Sequence, residues 1–216
     1  MSKNFIQRIY TSIILFLVLF LMLINNYILG YVLLIVSIFS FLEFSKMISI
    51  IFNRKKITQL FINLFFISYI FSLSASLLIF SAFLHIKILI FLILIVCVAS
   101  DIGGFLFGKI LKGPRLIHVS PNKTISGAIG SFILSSFIAV LGIYYLTENF
   151  DPYVIIIGIV TSLSCQIGDL IFSLLKRKSF LKDTGNFLPG HGGVLDRIDA
   201  MLLGIPIGFL TLIIIY

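Results

Sequence analysis

The fold is decided by stretches such as residues 88–108, which read ILIFLILIVCVASDIGGFLFG and contain a single charged residue, Asp101. A helix that crosses about 30 Å of hydrocarbon needs roughly 20 mostly apolar residues, because lipid offers the backbone no hydrogen-bond partners outside the segment. Comparable apolar runs occupy residues 9–27, 28–51, 57–83, 127–147, 153–175 and 198–216. The sequence therefore predicts an all-α integral membrane protein, a polytopic bundle of about seven transmembrane helices.

The composition of the chain is that of a membrane protein, with 60% hydrophobic and 11% charged residues. A soluble domain carries about 25% charged residues. Cys97 and Cys165 lie inside apolar runs, without Cys or His at metal-ligand spacing, which indicates neither a disulfide framework nor a zinc site. The net charge of +8 comes without a soluble basic face interleaved with stacking aromatics. We therefore predict membrane lipids, and no nucleic acid, as partners.

The basic residues are distributed unevenly between the two faces of the predicted bundle. With the N-terminus in the cytosol, all but one of the 16 Lys and Arg residues fall on the cytosolic side, and the exception is Lys87. Retention of Lys and Arg in the cytosol is the general rule for membrane proteins. The polar loops 109–126 and 176–197 are therefore predicted to be cytosolic, and the C-terminus external.

Two carboxylates, Asp101 and Asp169, lie near the cytosolic ends of predicted spans. Ionisable groups at membrane depth are costly, which makes them functional candidates. Around Asp169, polar residues recur at intervals of three or four and so share one helical face: Ser162, Gln166, Asp169, Ser173 and Lys176. Ser and Gln could equally hold a packing face through interhelical hydrogen bonds, but such a face needs no carboxylate. We predict that this polar stripe lines a polar cavity facing the cytosol.

The loop that follows is dense in acids, bases and glycines. Residues 173–199 read SLLKRKSFLKDTGNFLPGHGGVLDRID. Its carboxylates can bind Mg²⁺, its bases can neutralise phosphate oxygens, and its glycines let backbone amides approach an anion. Taken singly, juxtamembrane bases usually fix topology, Gly-Gly is usually a turn, and His191 could be a hydrogen-bonding loop residue. Their combination predicts a site for a metal–polyphosphate complex.

At these residues the sequence resembles the phosphatidate cytidylyltransferase family. The family's signature, S-x-x-K-R-x-x-x-x-K-D-x-x-x-x-x-P-G-H-G-G-x-x-D-R-x-D, is filled at every fixed position from Ser173 to Asp199. Upstream, Asn122 stands where similar proteins more often have Lys, and Ser126 where they more often have Glu. The resemblance implies an enzyme of phospholipid biosynthesis that converts CTP and phosphatidate to CDP-diacylglycerol and pyrophosphate. It further implies a catalytic half, 88–216, and an N-terminal half, 1–87, that serves the fold and a lipid groove.

The resemblance also implies roles for individual residues. Asp169 and Asp196 are the first choices as Mg²⁺ ligands, with Asp183 and Asp199 as further or substituting ligands. Catalytic roles are expected for these four aspartates, Lys182 and Arg197. Binding of substrate or phosphate is expected for Asp101, Lys123, Ser173, Lys176, Arg177, Gly190, His191, Gly192 and Gly193. The expected setting is a bacterial inner membrane, with the active site facing the cytosol, and a homodimer is an expectation from the family alone.

Three other classes of membrane protein share some of these sequence features. A CTP-dependent polyprenol kinase would share the topology and the character of the loops, but the complete signature argues against it. A polytopic lipid or ion transporter would also carry intramembrane carboxylates, yet it predicts inverted repeats with paired broken helices, and the sequence shows none. A CDP-alcohol phosphotransferase needs its own aspartate-rich motif beginning with Asp-Gly, which does not occur.

Overall fold

A computed structural model shows long helices and one small β-hairpin. It describes residues 3–117, 120–190 and 192–216, and the side chains of these except at positions 3–6, 8, 115–117 and 120–122. In chain order the elements are α1 (Lys3–Ile24), α2 (Asn26–Ile51), α3 (Lys56–Phe80), α4 (Leu84–Leu111), β1 (Arg115–Ile117), β2 (Ser120–Thr124), α5 (Ile125–Thr147), α6 (Val154–Lys178), α7 (Leu195–Ile198) and α8 (Met201–Ile215).

The predicted all-α, polytopic membrane protein is confirmed. Within the described residues, six helical segments are long and apolar enough to cross a membrane: Asn26–Ile51, Lys56–Phe80, Leu84–Leu111, Ile125–Thr147, Val154–Lys178 and Leu195–Ile215. The last of these includes both α7 and α8. A seventh, shorter apolar helix at Ile9–Ile24 corresponds to the first predicted span.

The start of α4 differs from the sequence-based boundary. The expected break around His85 and Lys87 is absent, and the helix begins at Leu84. Lys87 is only 3% exposed, and its Nζ donates a 2.6 Å hydrogen bond to Asn26 Oδ1 in α2. Asn26 in turn donates to the carbonyl of Ser81. A lysine with a hydrogen-bond partner at a helix end does not interrupt the helix, whereas the apolar pattern placed the start of this span after Lys87.

The hairpin lies in the loop predicted to be cytosolic, and the sequence pattern did not predict it. Its two strands are antiparallel, with Arg115 opposite Thr124. Thr124 then caps α5, because its side chain accepts a hydrogen bond from Gly127 N at 3.1 Å. Ser126, one of the two departures from the family pattern, accepts a bond from Gly113 N at 3.2 Å and so ties the end of α4 to the start of α5.

The chain forms two compact units, each discontinuous in sequence. Unit 1 comprises Met1–Lys87 and Leu175–Ile198, and unit 2 comprises Ile88–Leu174 and Asp199–Tyr216. This partition describes packing. The predicted assignment of catalysis to 88–216, and of fold and lipid groove to 1–87, concerns function and stays a prediction.

Each unit has its own packing. In unit 1, α2 and α3 meet through stacked Phe44 and Phe66 rings, whose centroids lie 3.8 Å apart. In unit 2, α4 and α5 approach closely at glycines: a Cβ on Gly103 would lie 2.5 Å from the carbonyl oxygen of Gly130. A Cβ on Gly104 would likewise lie 2.8 Å from Ser131 Oγ of α5. The glycine face of α4 is therefore packed against α5 of the same chain.

Candidate active site

In unit 2, two of the predicted carboxylates and a predicted lysine come together. Asp169 lies on α6, and its Oδ2 forms a 2.5 Å ion pair with Nζ of Lys123, at the end of β2. Ser173, one turn further along α6, donates to Asp169 Oδ1 at 3.2 Å. Asp101 on α4 interacts electrostatically with both Asp169 and Lys123. We call Asp101 and Asp169 the carboxylate pair. The side chain of Asp169 is 34% exposed and Asp101 is exposed, so the carboxylate pair is accessible to a ligand.

The polar stripe on α6 divides into a packing part and an accessible part. Ser162 is fully buried and bonded to Ser100 of α4 at 2.8 Å, and Ser131 of α5 donates to the Ser100 carbonyl at 2.7 Å. Gln166 donates to the carbonyl of Ala128 at 3.4 Å. The interhelical hydrogen bonds considered from sequence are therefore present at these positions. The carboxylate Asp169 lies on the continuation of the same face, as the functional interpretation requires.

Asp199, the last residue of the signature, also belongs to unit 2. It is 8% exposed, and its Oδ1 accepts a 2.9 Å hydrogen bond from Ala200 N at the start of α8. A Cβ on Gly168 would lie 2.7 Å from the Asp199 carbonyl oxygen, so only glycine fits beside it. The residue before Asp169 is thus in contact with the residue that leads into α8.

The rest of the signature belongs to unit 1. We call residues 179–194, between α6 and α7, the signature loop. Leu188 and Gly192 exchange two backbone hydrogen bonds of 2.9 and 3.1 Å and close a tight turn. Gly190 and Gly192 have φ of 76° and 85°, which glycine adopts without steric cost. Thr11 on α1 donates to the carbonyl of Pro189 at 2.8 Å. His191, predicted to bind substrate, lies outside the described residues.

Asp196 on α7 holds the signature loop through both carboxylate oxygens. Its Oδ1 pairs with Nζ of Lys176, at the end of α6, at 2.9 Å. Its Oδ2 accepts from the backbone N–H groups of Thr184 and Gly193 at 2.9 and 3.1 Å. The structure therefore brings together Lys176 and Asp196, which were predicted separately, and places the predicted Gly193 beside Asp196.

Four further predicted residues of this segment are exposed: Arg177, Lys182, Asp183 and Arg197. Asp183 lies beside the turn, since a Cβ on Gly192 would be 3.5 Å from the Asp183 Cβ. Their roles in catalysis and binding stay predictions.

Sequence reasoning missed Glu43 and its partner Thr184. Glu43 is a carboxylate in the apolar run of α2, it is 8% exposed, and it accepts three hydrogen bonds from the segment 184–195. Thr184 donates one of them and is only 2% exposed. The signal for Glu43 was present, because a carboxylate inside a span is costly unless it has partners. The sequence-based prediction applied this argument to Asp101 and Asp169 and omitted Glu43.

The predicted Mg²⁺ can be tested against the donor groups. Among the residues that the structure describes, no three His, Cys, Asp or Glu side chains form a group that could hold a metal ion. Mg²⁺ commonly takes one or two carboxylates and completes its shell with water and substrate phosphates. Asp101 and Asp169 fit that requirement. Asp196 fits it less well, because Lys176 and two backbone N–H groups already occupy its oxygens.

Unit 1 also contains a groove of about 440 Å³ between α2 and α3. Its lining includes apolar and polar side chains: Phe41, Lys56, Gln59, Leu60, Asn63, Leu64 and Ile67. The predicted lipid groove falls in the same part of the chain, and its occupant stays a prediction.

Comparison with known proteins covers most of these residues. The model of the cytidylyltransferase family matches residues 48–215. A phosphatidate cytidylyltransferase of Helicobacter pylori strain J99 is 43% identical over 113 residues, which is 52% of this chain and 42% of that protein. Proteins of the same name from Staphylococcus aureus strain COL and Staphylococcus haemolyticus are 39% and 37% identical over 110 residues. The alignments thus span less than half the length of these relatives.

Proposed function

Because this chain belongs to the cytidylyltransferase family, as its signature indicated, we propose that it is a phosphatidate cytidylyltransferase. In this proposal it joins the CMP part of CTP to phosphatidate and releases pyrophosphate. The relatives that carry this name support the substrates. Membership of the family supports the more general statement that the chain is a membrane-bound nucleotidyltransferase.

The observation that carries the proposal is the carboxylate pair with its lysine. Asp101 and Asp169 supply the negative charge that a divalent ion needs, and Lys123 lies within 2.5 Å of Asp169. Residues that only pack against lipid or against other helices are seldom charged, because placing a charge at membrane depth costs free energy. This arrangement therefore indicates a ligand-binding site. A nucleotide triphosphate with its metal ion matches both signs of charge.

The proposed reaction is an in-line displacement at phosphorus. An oxygen of the phosphatidate phosphate attacks the α-phosphorus of CTP, the new P–O bond forms, and the bond from that phosphorus to the β-phosphate oxygen breaks. The attacking phosphate is a dianion, so no general base has to remove a proton. Pyrophosphate leaves with the electron pair of the broken bond.

The work of the protein is then positioning and neutralisation of charge. Asp101 and Asp169 would hold Mg²⁺, which when bound neutralises phosphate oxygens and stabilises the leaving pyrophosphate. Lys123 and Lys176 are proposed to bind phosphate oxygens while Asp169 and Asp196 hold their ammonium groups, since an ammonium group has three donors. The exposed side chains of Arg177, Lys182 and Arg197 add positive charge to the segment 176–197, which also contains Lys176. These assignments follow the signature and the geometry within each unit.

The proposed orientation places the signature loop and the hairpin on the cytosolic side. It is supported by the basic residues, of which all but Lys87 lie on that side in the predicted layout. Cytosolic CTP then has direct access. A homodimer stays an expectation from the family.

The test is to follow the phosphate label of CTP with purified protein, phosphatidate and Mg²⁺. The proposal expects label from the α-phosphate in lipid and label from the γ-phosphate in pyrophosphate. Label from the γ-phosphate in lipid would support a lipid kinase instead. Monodisperse protein that transfers neither label, under conditions in which a relative from Helicobacter pylori is active, would refute the proposal.

A further inference from the structure

The carboxylate of Glu43 is enclosed by the signature loop and α7. Its Oε2 accepts from Thr184 Oγ1 at 2.7 Å and from Leu195 N at 2.9 Å, and its Oε1 accepts from Val194 N at 3.0 Å. All three bonds join residues that are buried. Glu43 lies before residue 48, where the match to the family model begins. It therefore falls outside the part of the chain that the family comparison describes.

Two glycines of the segment make room for this carboxylate. A Cβ on Gly185 would collide with Glu43 Oε1, and a Cβ on Gly193 would collide with Thr184 Oγ1 and would lie 2.5 Å from Glu43 Oε2. Neither glycine has a positive φ, so their backbone conformation does not demand glycine. Glycine is required at these two positions because the Glu43 side chain and its partner Thr184 fill the space that a Cβ would need.

Thr184 binds both Glu43 and Asp196, and the other residues bound to Glu43 directly follow a second residue that holds Asp196. Thr184 donates its hydroxyl to Glu43 and its backbone N–H to Asp196. Gly193 donates its N–H to Asp196, and the next two residues, Val194 and Leu195, donate theirs to Glu43. Asp196 in turn pairs with Lys176. Glu43 is thus bonded to Thr184, which supplies one backbone donor to Asp196, and to the residue that directly follows Gly193, which supplies the other.

From this chain of contacts we infer that Glu43 is a positioning residue for nucleotidyl transfer: it acts through Thr184 and residues 193–195 on the Asp196–Lys176 pair. The inference rests on the proposed function. It gives α2 a part in catalysis, beyond its part in the fold. A residue that merely stabilised the fold would change the amount of folded protein and leave the turnover of the folded molecules unaltered.

The perturbation is Glu43→Gln, which keeps the size of the side chain and replaces one acceptor oxygen with an N–H₂ group. In either orientation the amide nitrogen faces at least one backbone N–H, of Val194 or of Leu195, which loses its acceptor. The matched control is Glu148→Gln, the same change at an exposed residue of the αL turn that ends α5. Thr184→Val removes one of the three bonds, and Thr184→Ser keeps the hydroxyl.

The measurement is kcat and KM for CTP per folded molecule, with the folded fraction taken from size-exclusion and thermal melting. Displacement of a positioned group by about 1 Å can cost on the order of a hundredfold in rate. We expect kcat of Glu43→Gln to fall about ten- to hundredfold and that of Glu148→Gln to match the unaltered protein. Thr184→Ser should regain most of the activity that Thr184→Val loses. Glu43→Gln and Thr184→Val together should lose less than the product of their separate losses.

A Glu43→Gln protein that is folded at the assay temperature and keeps the unaltered kcat and KM would overturn the inference. If Glu43→Gln does not fold, equal kcat for Thr184→Val and the unaltered protein would overturn it. Tryptic cleavage after the exposed Lys182 gives a readout that needs no activity: it should be faster in Glu43→Gln than in Glu148→Gln, and equal rates would also overturn the inference. An unaltered protein that transfers no label would refute the proposed function, and the cleavage rates would still decide whether Glu43 holds the loop.

Discussion

Replacing Asp196 by Asn tests the centre of the signature loop. The carboxylate accepts from Lys176 on one oxygen and from Thr184 N and Gly193 N on the other. An Asn side chain can keep both backbone bonds through its single oxygen, but its N–H₂ group then faces the Lys176 ammonium, donor against donor. The loss is therefore confined to one charge-assisted bond between side chains that are only 18% and 8% exposed.

Hydrogen bonds to charged groups contribute about 1.5–3 kcal/mol. Since each 1.36 kcal/mol is a factor of ten, we expect kcat/KM of Asp196→Asn to fall roughly ten- to hundredfold, because the pair positions the Lys176 ammonium group. The assay is incorporation of α-labelled CTP into lipid at matched amounts of folded protein. Asp151→Asn is the control, because Asp151 Oδ1 accepts from Tyr153 N at 2.9 Å and an Asn oxygen can do the same. It should remain within about twofold, less than one tenfold step of 1.36 kcal/mol.

A double-mutant cycle separates the pair from the loop. Lys176→Met and Asp196→Asn together should cost less than the sum of the two separate losses, because each removes the same bond. Additive losses, or more than half of normal activity in Asp196→Asn, would show that the pair has no part in turnover.

Three further outcomes are expected. Lys123→Met removes the ion pair with Asp169 and a proposed phosphate-binding cation. It should lower kcat/KM by at least about tenfold, which corresponds to about 1.4 kcal/mol. Activity equal to that of the unaltered protein would contradict the role proposed for Lys123 and the carboxylate pair. Gly193→Ala should lower the thermal midpoint and the activity, because its Cβ collides with Thr184, whereas Gly30→Ala meets only Leu78 at 3.4 Å and should change neither; equal midpoints for the two variants would contradict the packing described for the loop. Chelation with EDTA should abolish turnover and Mg²⁺ should restore it, and full activity of metal-stripped protein in EDTA would count against Asp101 and Asp169 as ligands.

The helices were predictable because lipid imposes a strong local rule. Each long apolar run became a helix, and the seven predicted runs correspond to the helices from α1 to α8 within a few residues. Where the prediction failed, a charge had a partner elsewhere in the chain: Lys87 is bonded to Asn26, 61 residues away, and so continues α4. The hairpin of β1 and β2 was missed because short polar strands carry no comparable signal.

The candidate site was predictable in its residues and less so in its contacts. The pairs Lys123–Asp169 and Lys176–Asp196 unite residues that had been singled out separately. Their pairing depends on packing of distant segments, which sequence spacing does not reveal. Glu43 is the clearest case, since its partners lie 141 to 152 residues further along the chain.

The position of Glu43 bears on how such a protein can be cut and recombined. A fragment trimmed to residues 48–215, the part that the family model matches, would retain Thr184, Val194 and Leu195 and lose their common acceptor. Donors left buried without an acceptor cost about 1–3 kcal/mol each. A chimera that exchanges the first two helices between relatives therefore has to carry over a carboxylate at this position of α2, even though it lies outside the homologous segment.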